Sequence, residues 1–373
     1  LLAIVSIAVY VRLLRNQDLR IRVGITAAFF ITYWAMVIQW IRELGLLPWV
    51  LLTVVCVVPY LVIAAIPFRK ATLASANMFT CSWVIAEVLH AEFPWGGFPW
   101  GLLAYTQTDG PLVNSARVGG QFFTSYIAVL VAVLLSALPR IKSGVLASAL
   151  VVMCAGLPMM LKDPNIDAVV KVAAVQGSVP REGYDLETQR RAVFNNHLAA
   201  TRKLIAAGVD DVSLIVWPEN AVDNYPFSNE EVYRKISALS NTVSSPILVG
   251  GIVRNGDSEQ EFNSGIMWHQ GQPGEMYDKH QLVPFGEYIP TGNLLRSWIE
   301  KQFPVVPKFI PGTTSGMFTL PTGQTFGDVI CFEIANENFV QDRVIEGAQF
   351  ITVQTNNATY VNTTQPAQQL NIA

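Results

Sequence analysis

Apolar and polar positions divide this chain into two halves. Up to residue 161 long uncharged runs follow one another, whereas from Ile166 onward the apolar runs are short. Each long run has about the 20 residues that a helix needs to cross the hydrocarbon core of a bilayer. The pattern predicts transmembrane helices at Val23–Ile41, Gly45–Phe68, Val118–Pro139 and Ser143–Leu161. Two more spans are predicted at Ala71–His90, which carries Glu87, and at Leu1–Val11, which we interpret as the remaining part of a longer one.

Basic residues gather in alternate loops of the first half. One set of loops contains Arg12, Arg15, Arg20, Arg22, Arg69, Lys70, Arg140 and Lys142, and the other set contains only Arg42 and Arg117. Cytoplasmic loops of membrane proteins carry the excess of Lys and Arg. The first set is therefore expected in the cytoplasm, which places everything after Leu161 on the outer side of the membrane.

The second half alternates short β-rich runs with helical patterns. Strands are predicted at Ala168–Gln176, Val212–Trp217, Ile247–Ile252, Thr325–Cys331 and Phe350–Gln354, with shorter ones around Ile266, Met276 and Phe318. Helices are predicted at Leu186–Ala207, Asn229–Val243 and near Asn336–Glu346. This alternation predicts a layered α/β domain, and periodicity alone leaves several α/β folds open.

Composition agrees with a membrane protein. The 373 residues are 51% hydrophobic and 14% charged, and the mean hydropathy is +0.35. The formal net charge of -3 is the sum over a basic inner rim and a mildly acidic outer domain. Nucleic acid is therefore not an expected partner. The four histidines lack the spacing of a zinc site, and no glycine-rich phosphate loop is present. We therefore expect no metal and no cofactor.

Cys331 is the candidate nucleophile of the second half. It ends the strand-like run that starts at Thr325, and a thiol at a strand-to-turn corner is accessible to a substrate. The other cysteines, Cys56, Cys81 and Cys154, lie in apolar spans and are predicted to be buried small hydrophobes. Cys331 thus has no disulfide partner in its own half. The alternative interpretation, that it is only a core residue, stays open at this point.

A carboxylate and a lysine precede Cys331 in the chain. Glu219 follows the strand Val212–Trp217, and Lys279 is followed eight positions later by Glu287. Acyl transfer through cysteine requires a thiolate, a proton acceptor and a donor for the developing oxyanion. Glu219 is the candidate general base and Lys279 the candidate oxyanion donor. Taken singly, such a Glu or Lys is more often a solvated loop residue. The hypothesis of a catalytic role rests on the order of Glu219, Lys279 and Cys331 along the chain.

Three short sequence motifs resemble those of a known superfamily. WPE at Trp217–Glu219, YDKxxLVPFGEY at Tyr277–Tyr288 and CFE at Cys331–Glu333 occur in an order that resembles the nitrilase superfamily. The LVPFGEYIP motif and the membrane half narrow this resemblance to the bacterial apolipoprotein N-acyltransferase family. The resemblance implies a four-layer α-β-β-α sandwich. It also implies that Glu287 orients Lys279 and that Glu333 supports the site.

The resemblance implies a reaction and a location. The enzyme would pass an acyl chain from a membrane phospholipid, through a cysteine thioester, to the α-amino group of a lipoprotein's diacylglyceryl-cysteine. It would lie in the bacterial cytoplasmic membrane as a monomer with its catalytic domain outside. Pro218, Phe332 and the TNNATY segment at Thr355–Tyr360 depart from the usual family wording and put donor preference in doubt.

We expect two domains: a transmembrane bundle of about six spans at 1–161 and an outer nitrilase-like catalytic domain at 162–373. Since the family begins in the cytoplasm and continues beyond the helix that opens near Gln365, we expect that sequence is missing at both ends.

Two apolar segments are candidates for lipid contact. Asn293–Phe303 places Leu295 and Trp298 on one helical face, and the loop Phe93–Trp100 ends in Trp100. Core packing of the first segment and simple interfacial anchoring of the second are the alternatives. Glu87 within a span is expected to face other helices or a watery cleft.

Two other functions stay open. The first is a membrane-anchored nitrilase-type amidase that passes its acyl group to water. The second is an outer binding or scaffold domain with a decayed active site. Intact Glu219, Lys279 and Cys331 argue against decay, and several spans exceed what simple anchoring needs.

Overall fold

The computed structural model describes residues 1–67, 72–138, 140–161, 169–180, 185–208, 211–254, 256, 258–289 and 309–373. Contacts divide the chain into two compact units. The first comprises Leu1–Asn165 and Thr359–Ile372, and the second comprises Ile166–Ala358 and Ala373. The predicted boundary at 161/162 stays a prediction. The contacts put Thr359–Ile372 with the first unit, although this segment lies inside the predicted catalytic domain.

The first unit is helical. Its main helices are α1 Leu2–Leu14, α2 Leu19–Val37, α3 Leu46–Val57, α4 Val62–Ala65, α5 Leu73–Glu92, α6 Ala116–Ser136, α7 Ile141–Met160 and the later helix Gln365–Ile372. Within the described residues, three segments are long and apolar enough to cross a membrane: Leu19–Val37, Leu46–Ala65 and Val113–Ser136. Leu2–Leu14 and Ile141–Leu157 are apolar but shorter. The predicted span at Ala71–His90 coincides largely with α5, a helix with several polar residues, which is not among those three.

Glu87 is buried inside the helical unit, with 1% of its surface exposed. Its Oε1 accepts hydrogen bonds from Nε1 of Trp83 at 3.0 Å and from the backbone N–H of Leu103 at 2.9 Å. A buried carboxylate requires such donors, because its desolvation is otherwise uncompensated. Glu87 therefore helps to fix the loop that follows α5. The expectation was that Glu87 faces other helices or a watery cleft, and its backbone partner Leu103 lies in the segment between α5 and α6.

The second unit contains two sheets. Their strands are β1 Val172–Ala174, β2 Leu214–Val216, β3 Ile247–Arg254, β4 Glu261–His269, β5 Gln272–Asp278, β6 Met317–Thr319, β7 Thr325–Ile330 and β8 Phe350–Gln354. The first sheet has the order β1-β2-β3-β4-β5, and the second has the order β6-β7-β8. Strands β1, β2 and β3 are parallel, β4 is antiparallel to both β3 and β5, and β7 is parallel to β8.

Strand residues of the first sheet alternate between two apolar cores. Ile215, Ile247 and Ile266 face helices α8 Leu186–Ala206 and α9 Glu230–Ser240. Leu248 and Met267 face the second sheet. Burial on both faces explains why these strands are continuous apolar runs.

The layers are thus helix, sheet, sheet, helix. The helix Glu337–Ile345 lies on the far face of β7, where Gly327 approaches Arg343 so closely that a Cβ would lie 2.6 Å from the Arg343 Cβ. The predicted fold class, a helical membrane domain plus an α-β-β-α sandwich, is confirmed.

Candidate active site

Strand direction gathers the polar side chains at one edge of the first sheet. Glu219 follows β2 and Lys279 follows β5, and these two strands run in the same direction. Strand β4 runs the opposite way, so its beginning, with Asn263, lies at the same edge. In the second sheet, Cys331 and Asn356 follow the parallel strands β7 and β8. Residues far apart in sequence therefore meet at strand ends.

Glu219 is held by three donors and is 6% exposed. Its Oε1 accepts from Nδ2 of Asn263 at 2.7 Å and from Nζ of Lys279 at 3.5 Å, and its Oε2 accepts from the backbone N–H of Asn356 at 2.9 Å. Gly250 permits this approach, because a Cβ there would lie 2.2 Å from the Pro218 carbonyl oxygen. Burial raises the pKa of Glu219, and the Glu287 charge adds to this, while Lys279, Asn263 and Asn356 lower it.

Lys279 is 1% exposed and lies between two carboxylates. Its Nζ donates to Oε1 of Glu287 at 2.9 Å as well as to Glu219, and its backbone N–H donates to the Asn263 carbonyl at 2.8 Å. Burial by itself lowers the pKa of Lys279, but Glu287, Glu219, Cys331 and Glu333 together raise it above its usual value. The ammonium is thus stabilised by the two carboxylates, which suits the role of a hydrogen-bond donor.

Asn263 is a site residue that the sequence analysis missed. Its Nδ2 donates to Glu219 at 2.7 Å and to Oε1 of Glu287 at 3.1 Å, so it bridges the same two carboxylates that flank Lys279. Glu287 in turn accepts the backbone N–H of Val283 through Oε2 at 2.7 Å. The predicted role of Glu287 in orienting Lys279 fits these distances. The one signal for Asn263 was an amide inside a strand-like apolar run.

Cys331 lies at the strand-to-turn corner that the sequence predicts. Strand β7 ends at Ile330, and Cys331 begins the one-turn 3₁₀ helix Cys331–Ala335 with φ +56°. This left-handed conformation is uncommon for a residue other than glycine and occurs often at functional sites. The thiol is half-buried.

Burial raises the pKa of Cys331 to about 12, and Glu219 and Glu287 add to this. Lys279 and Thr355 lower the pKa, as expected for the lysine, but not enough to reverse the sign. The resting residue is thus a protonated thiol. Its activation needs a base that removes the proton, and Glu219 is the carboxylate whose charge acts most strongly on it.

Glu333 joins the two segments that carry Lys279 and Cys331. Its Oε1 accepts from the Tyr277 hydroxyl at 2.8 Å and from the backbone N–H groups of His280 and Gln281 at 2.7 and 3.1 Å. Its Oε2 accepts from the backbone N–H of Ile330 at 2.7 Å. The side chain is fully buried. It holds the Lys279 segment against the turn of the thiol, in keeping with its predicted supporting role.

Three residues were predicted to contact lipid: Leu295, Trp298 and Trp100. Leu295 and Trp298 fall outside the described residues. Trp100 belongs to the helical unit, where it is 2% exposed and donates through Nε1 to Oε1 of Gln368 at 2.7 Å. Its role in lipid contact stays a prediction. Throughout the described part of the chain, no three His, Cys, Asp or Glu side chains are grouped as a metal site.

Two family models match this chain, one in each half. Residues 1–134 match the apolipoprotein N-acyltransferase N-terminal domain, and residues 171–373 match the carbon-nitrogen hydrolase model. The chain belongs to the carbon-nitrogen hydrolase family, in the membrane branch that carries the apolipoprotein N-acyltransferase N-terminal domain. With its apolar helices, it is a membrane protein.

Curated relatives bear the name apolipoprotein N-acyltransferase. One from Mycolicibacterium smegmatis is 33% identical over 303 residues, which is 72% of this chain and 50% of the relative. One from Vibrio parahaemolyticus is 27% identical, over 82% of this chain and 60% of the relative. The chain thus spans about half to three fifths of the length of these relatives.

Among solved structures, a carbon-nitrogen hydrolase from Helicobacter pylori G27 aligns with a TM-score of 0.37 and 15% identity. The alignment covers 54% of this chain and 68% of that one, and the score is too low to support a conclusion.

Proposed function

We propose that this protein is an acyltransferase that carries a fatty acyl chain on Cys331 from a membrane phospholipid to the α-amino group of a diacylglyceryl-cysteine lipoprotein. The observation that carries the proposal is the buried triangle of Glu219, Lys279 and Asn263 at the strand edge, within electrostatic reach of a corner thiol. The family membership and the names of the relatives support the choice of reaction.

The first half-reaction forms a thioester. Glu219 takes the proton of the Cys331 thiol, and the sulfur attacks the ester carbonyl carbon of the phospholipid. The carbonyl oxygen becomes an oxyanion, which the Lys279 ammonium stabilises. As the tetrahedral intermediate collapses, the carbon–oxygen ester bond breaks and the departing alkoxide takes the proton from Glu219. The products are a lysophospholipid and the acylated Cys331.

The second half-reaction transfers the acyl group from Cys331 to the amine. The neutral amine nitrogen attacks the thioester carbonyl carbon, and Glu219 takes a proton from that nitrogen. Lys279 again stabilises the oxyanion. The carbon–sulfur bond breaks, the thiolate regains its proton from Glu219, and an amide is released. Donor and acceptor therefore use one site in turn, which is ping-pong kinetics.

The electrostatic roles divide cleanly between the two charged groups. The raised pKa of Lys279 keeps the ammonium charged through both steps, so this residue serves as a donor only. The raised pKa of Glu219 brings the carboxylate closer in basicity to neutral pH, where a general base is most effective. A thiol with a pKa of about 12 then reacts only with the help of that base.

The proposed location is the bacterial cytoplasmic membrane, with the second unit on the outer side. The support is the distribution of Lys and Arg in the first half, in which Arg12, Arg15, Arg20 and Arg22 all lie in or close to the turn between α1 and α2. We propose a monomer as the working unit. A bilayer location gives the enzyme direct access to its phospholipid donor.

The test is to incubate the full-length protein in phospholipid vesicles whose acyl chains carry a label, and to measure the mass of the intact protein. We expect an added acyl mass that hydroxylamine removes and that Cys331→Ala abolishes, with the purified variant still folded and membrane-inserted. Addition of a diacylglyceryl-cysteine peptide should then transfer the label to its α-amine. Release of the label as free fatty acid at the same rate with and without the peptide would identify a hydrolase instead.

A further inference from the structure

A second polar cluster lies deep between the two sheets, apart from the groups described above. Asp328 in β7 is fully buried and Gln354 at the end of β8 is 1% exposed. Both reach Gly265 in β4 of the facing sheet. A Cβ on Gly265 would lie 2.6 Å from Oδ2 of Asp328 and 2.6 Å from Oε1 of Gln354. Since both oxygens lie near one point, they are within roughly 5 Å of each other.

Each side chain has its other polar atom occupied. The Thr352 hydroxyl donates to Oδ1 of Asp328 at 2.7 Å, and Nε2 of Gln354 donates to the Trp217 carbonyl oxygen at 2.6 Å. Oδ2 of Asp328 and Oε1 of Gln354, in contrast, have no hydrogen-bond partner among the described residues. Two buried acceptors that face the same small space are unfavourable unless a proton lies between them.

We propose that Asp328 is a neutral carboxylic acid whose Oδ2–H donates to Oε1 of Gln354, and that this pair positions the strand ends that carry the candidate catalytic groups. It completes a chain of hydrogen bonds from Thr352 through Asp328 and Gln354 to Trp217. That chain ties the facing ends of β7 and β8 to the end of β2.

The sequence positions give the pair its functional meaning. Trp217 is two residues before Glu219, and Asp328 is three residues before Cys331. Gln354 is two residues before Asn356, whose N–H donates to Glu219. Asp328 is thus a positioning residue that acts through the backbone of three segments, and it does not itself touch a reacting atom.

Charges around Asp328 favour the neutral form. Burial raises its pKa well above the usual value, and Glu333 and Glu219 add to this, while Thr352 and Arg343 lower it. Arg343 is directed to the Asp328 backbone, since its Nε donates to the main-chain carbonyl at 3.3 Å. Tyr277, which also interacts with Asp328, donates its hydroxyl proton to Glu333. The neutral acid therefore agrees with its whole surroundings.

The first experiment tests the proton and needs no activity. An acid whose pKa is higher in the folded state than in the unfolded state destabilises the fold as pH rises from the unfolded pKa towards the folded one. Asp328→Asn removes this penalty, and its amide can still donate to Gln354. We therefore expect that the melting temperature of the variant, relative to the parent, increases steadily between about pH 5 and pH 8.

Difference infrared spectra between parent and variant should also show the loss of a protonated carboxyl carbonyl band at pH 7. A variant that melts lower than the parent at pH 8, without loss of that band, would overturn the neutral acid. It would mean an ionised Asp328 that is hydrated or otherwise paired.

The second experiment tests positioning through the rate of Cys331 acylation in a single turnover, and so rests on the proposed function. Asp328→Leu removes the hydrogen bonds from Thr352 and to Gln354. We expect acylation in this variant to be about tenfold slower, with the half-saturating phospholipid concentration unchanged. Asp328→Asn should acylate at the parental rate. Phe318→Leu, a core change between the same sheets, is the control for general destabilisation and should leave the rate alone.

Equal acylation rates in Asp328→Leu and the parent would overturn the positioning role. A parent protein that forms no thioester would instead refute the proposed function, and the melting and infrared results would still decide the state of Asp328.

Discussion

The two units bury polar groups in different ways. In the helical unit, Glu87 takes neutral N–H donors from Trp83 and Leu103, and Gln368 takes the indole N–H groups of Trp40 and Trp100. In the α/β unit, the candidate site places the ammonium of Lys279 between two carboxylates, with a thiol nearby.

This difference separates two uses of buried polarity. Neutral donors satisfy an isolated acceptor and fix a local structure, and they leave no charge to act on a reacting group. Charges of both signs at one strand edge shift one another's pKa values, and such mutual shifts are what acid-base chemistry requires. Substitutions in the second region should therefore alter chemistry more than stability, and substitutions in the first should do the reverse.

The largest effect is expected for Glu219→Gln. Loss of the general base should slow Cys331 acylation at pH 7 by about 10³-fold, within the usual range for such a group. In the parent, acylation rises with pH as Glu219 ionises and then levels off, and this plateau should disappear in the variant. Because the thiol pKa is raised, the residual rate of the variant should rise about tenfold per pH unit through the thiolate fraction.

The measurement is single-turnover acylation across pH, with Glu230→Gln as control, since Glu230 is an exposed carboxylate on helix α9. A Glu219→Gln enzyme whose acylation rate levels off at the same pH as in the parent would assign the base to another residue.

Lys279→Met should have the next largest effect. Loss of one preorganised oxyanion donor typically costs about 10²–10³ in rate, and the removal also leaves Glu219 and Glu287 unpaired in the interior. The double variant Lys279→Met/Glu287→Gln removes that repulsion and should regain stability without regaining rate. Lys235→Met is the matched control, because Lys235 forms an exposed pair with Glu231 at 2.7 Å.

Acylation rates and melting temperatures of these three variants and of the parent check this prediction. If the double variant regains the parental rate, Lys279 serves only to balance charge.

Sequence reasoning located most elements, and two of its candidate site residues, Glu219 and Lys279, lie in contact. The helix predicted at Leu186–Ala207 occurs as Leu186–Ala206 and is followed by Gly208 at φ +71°. The strand predicted at Ala168–Gln176 is only Val172–Ala174, since just these residues pair with β2. Strand pairing depends on a partner that local pattern does not reveal.

Two features of the site depended on tertiary structure. Asn263 lies near the start of an antiparallel strand, so it reaches the site only because β4 returns to the edge where β2 and β5 end. Lys279 lowers the pKa of Cys331, but burial and two carboxylates raise it by more. Both outcomes depend on depth and on distance across the fold, which the order of residues does not give.

Asn263→Leu tests whether a neutral hydrogen-bond donor among the charged groups of the site matters for the rate. The substitution replaces the amide with an apolar side chain of similar size. Glu219 and Glu287 each lose a donor, so their orientation around Lys279 is less fixed. We expect acylation to slow by about 10–100-fold, as for other supporting groups that orient a reactive one. Asn263→Asp adds a third carboxylate and should be slower still.

Acylation at saturating phospholipid checks this, with the exposed Asn338→Leu as control. A parental rate in Asn263→Leu would show that Lys279 alone fixes both carboxylates.

The smallest effect on chemistry is expected for Gln368→Leu in the helical unit. The substitution removes the acceptor that Trp40 and Trp100 share at 3.0 and 2.7 Å, and the donor to the Val37 carbonyl at 2.9 Å. Buried groups left without partners cost about 1–3 kcal/mol each, so the melting temperature should fall by several degrees. Acylation of the protein that remains folded should change by no more than about threefold, because no charge near Cys331 is altered.

Gln368→Glu is the matched second variant, since it keeps an acceptor for both indoles and loses the two donations of Nε2, to the Val37 carbonyl and to the Thr364 hydroxyl oxygen. It should recover part of the lost melting temperature. A fall in acylation as large as that of Lys279→Met would erase the distinction between the two regions and assign the Trp100 loop to the chemistry itself.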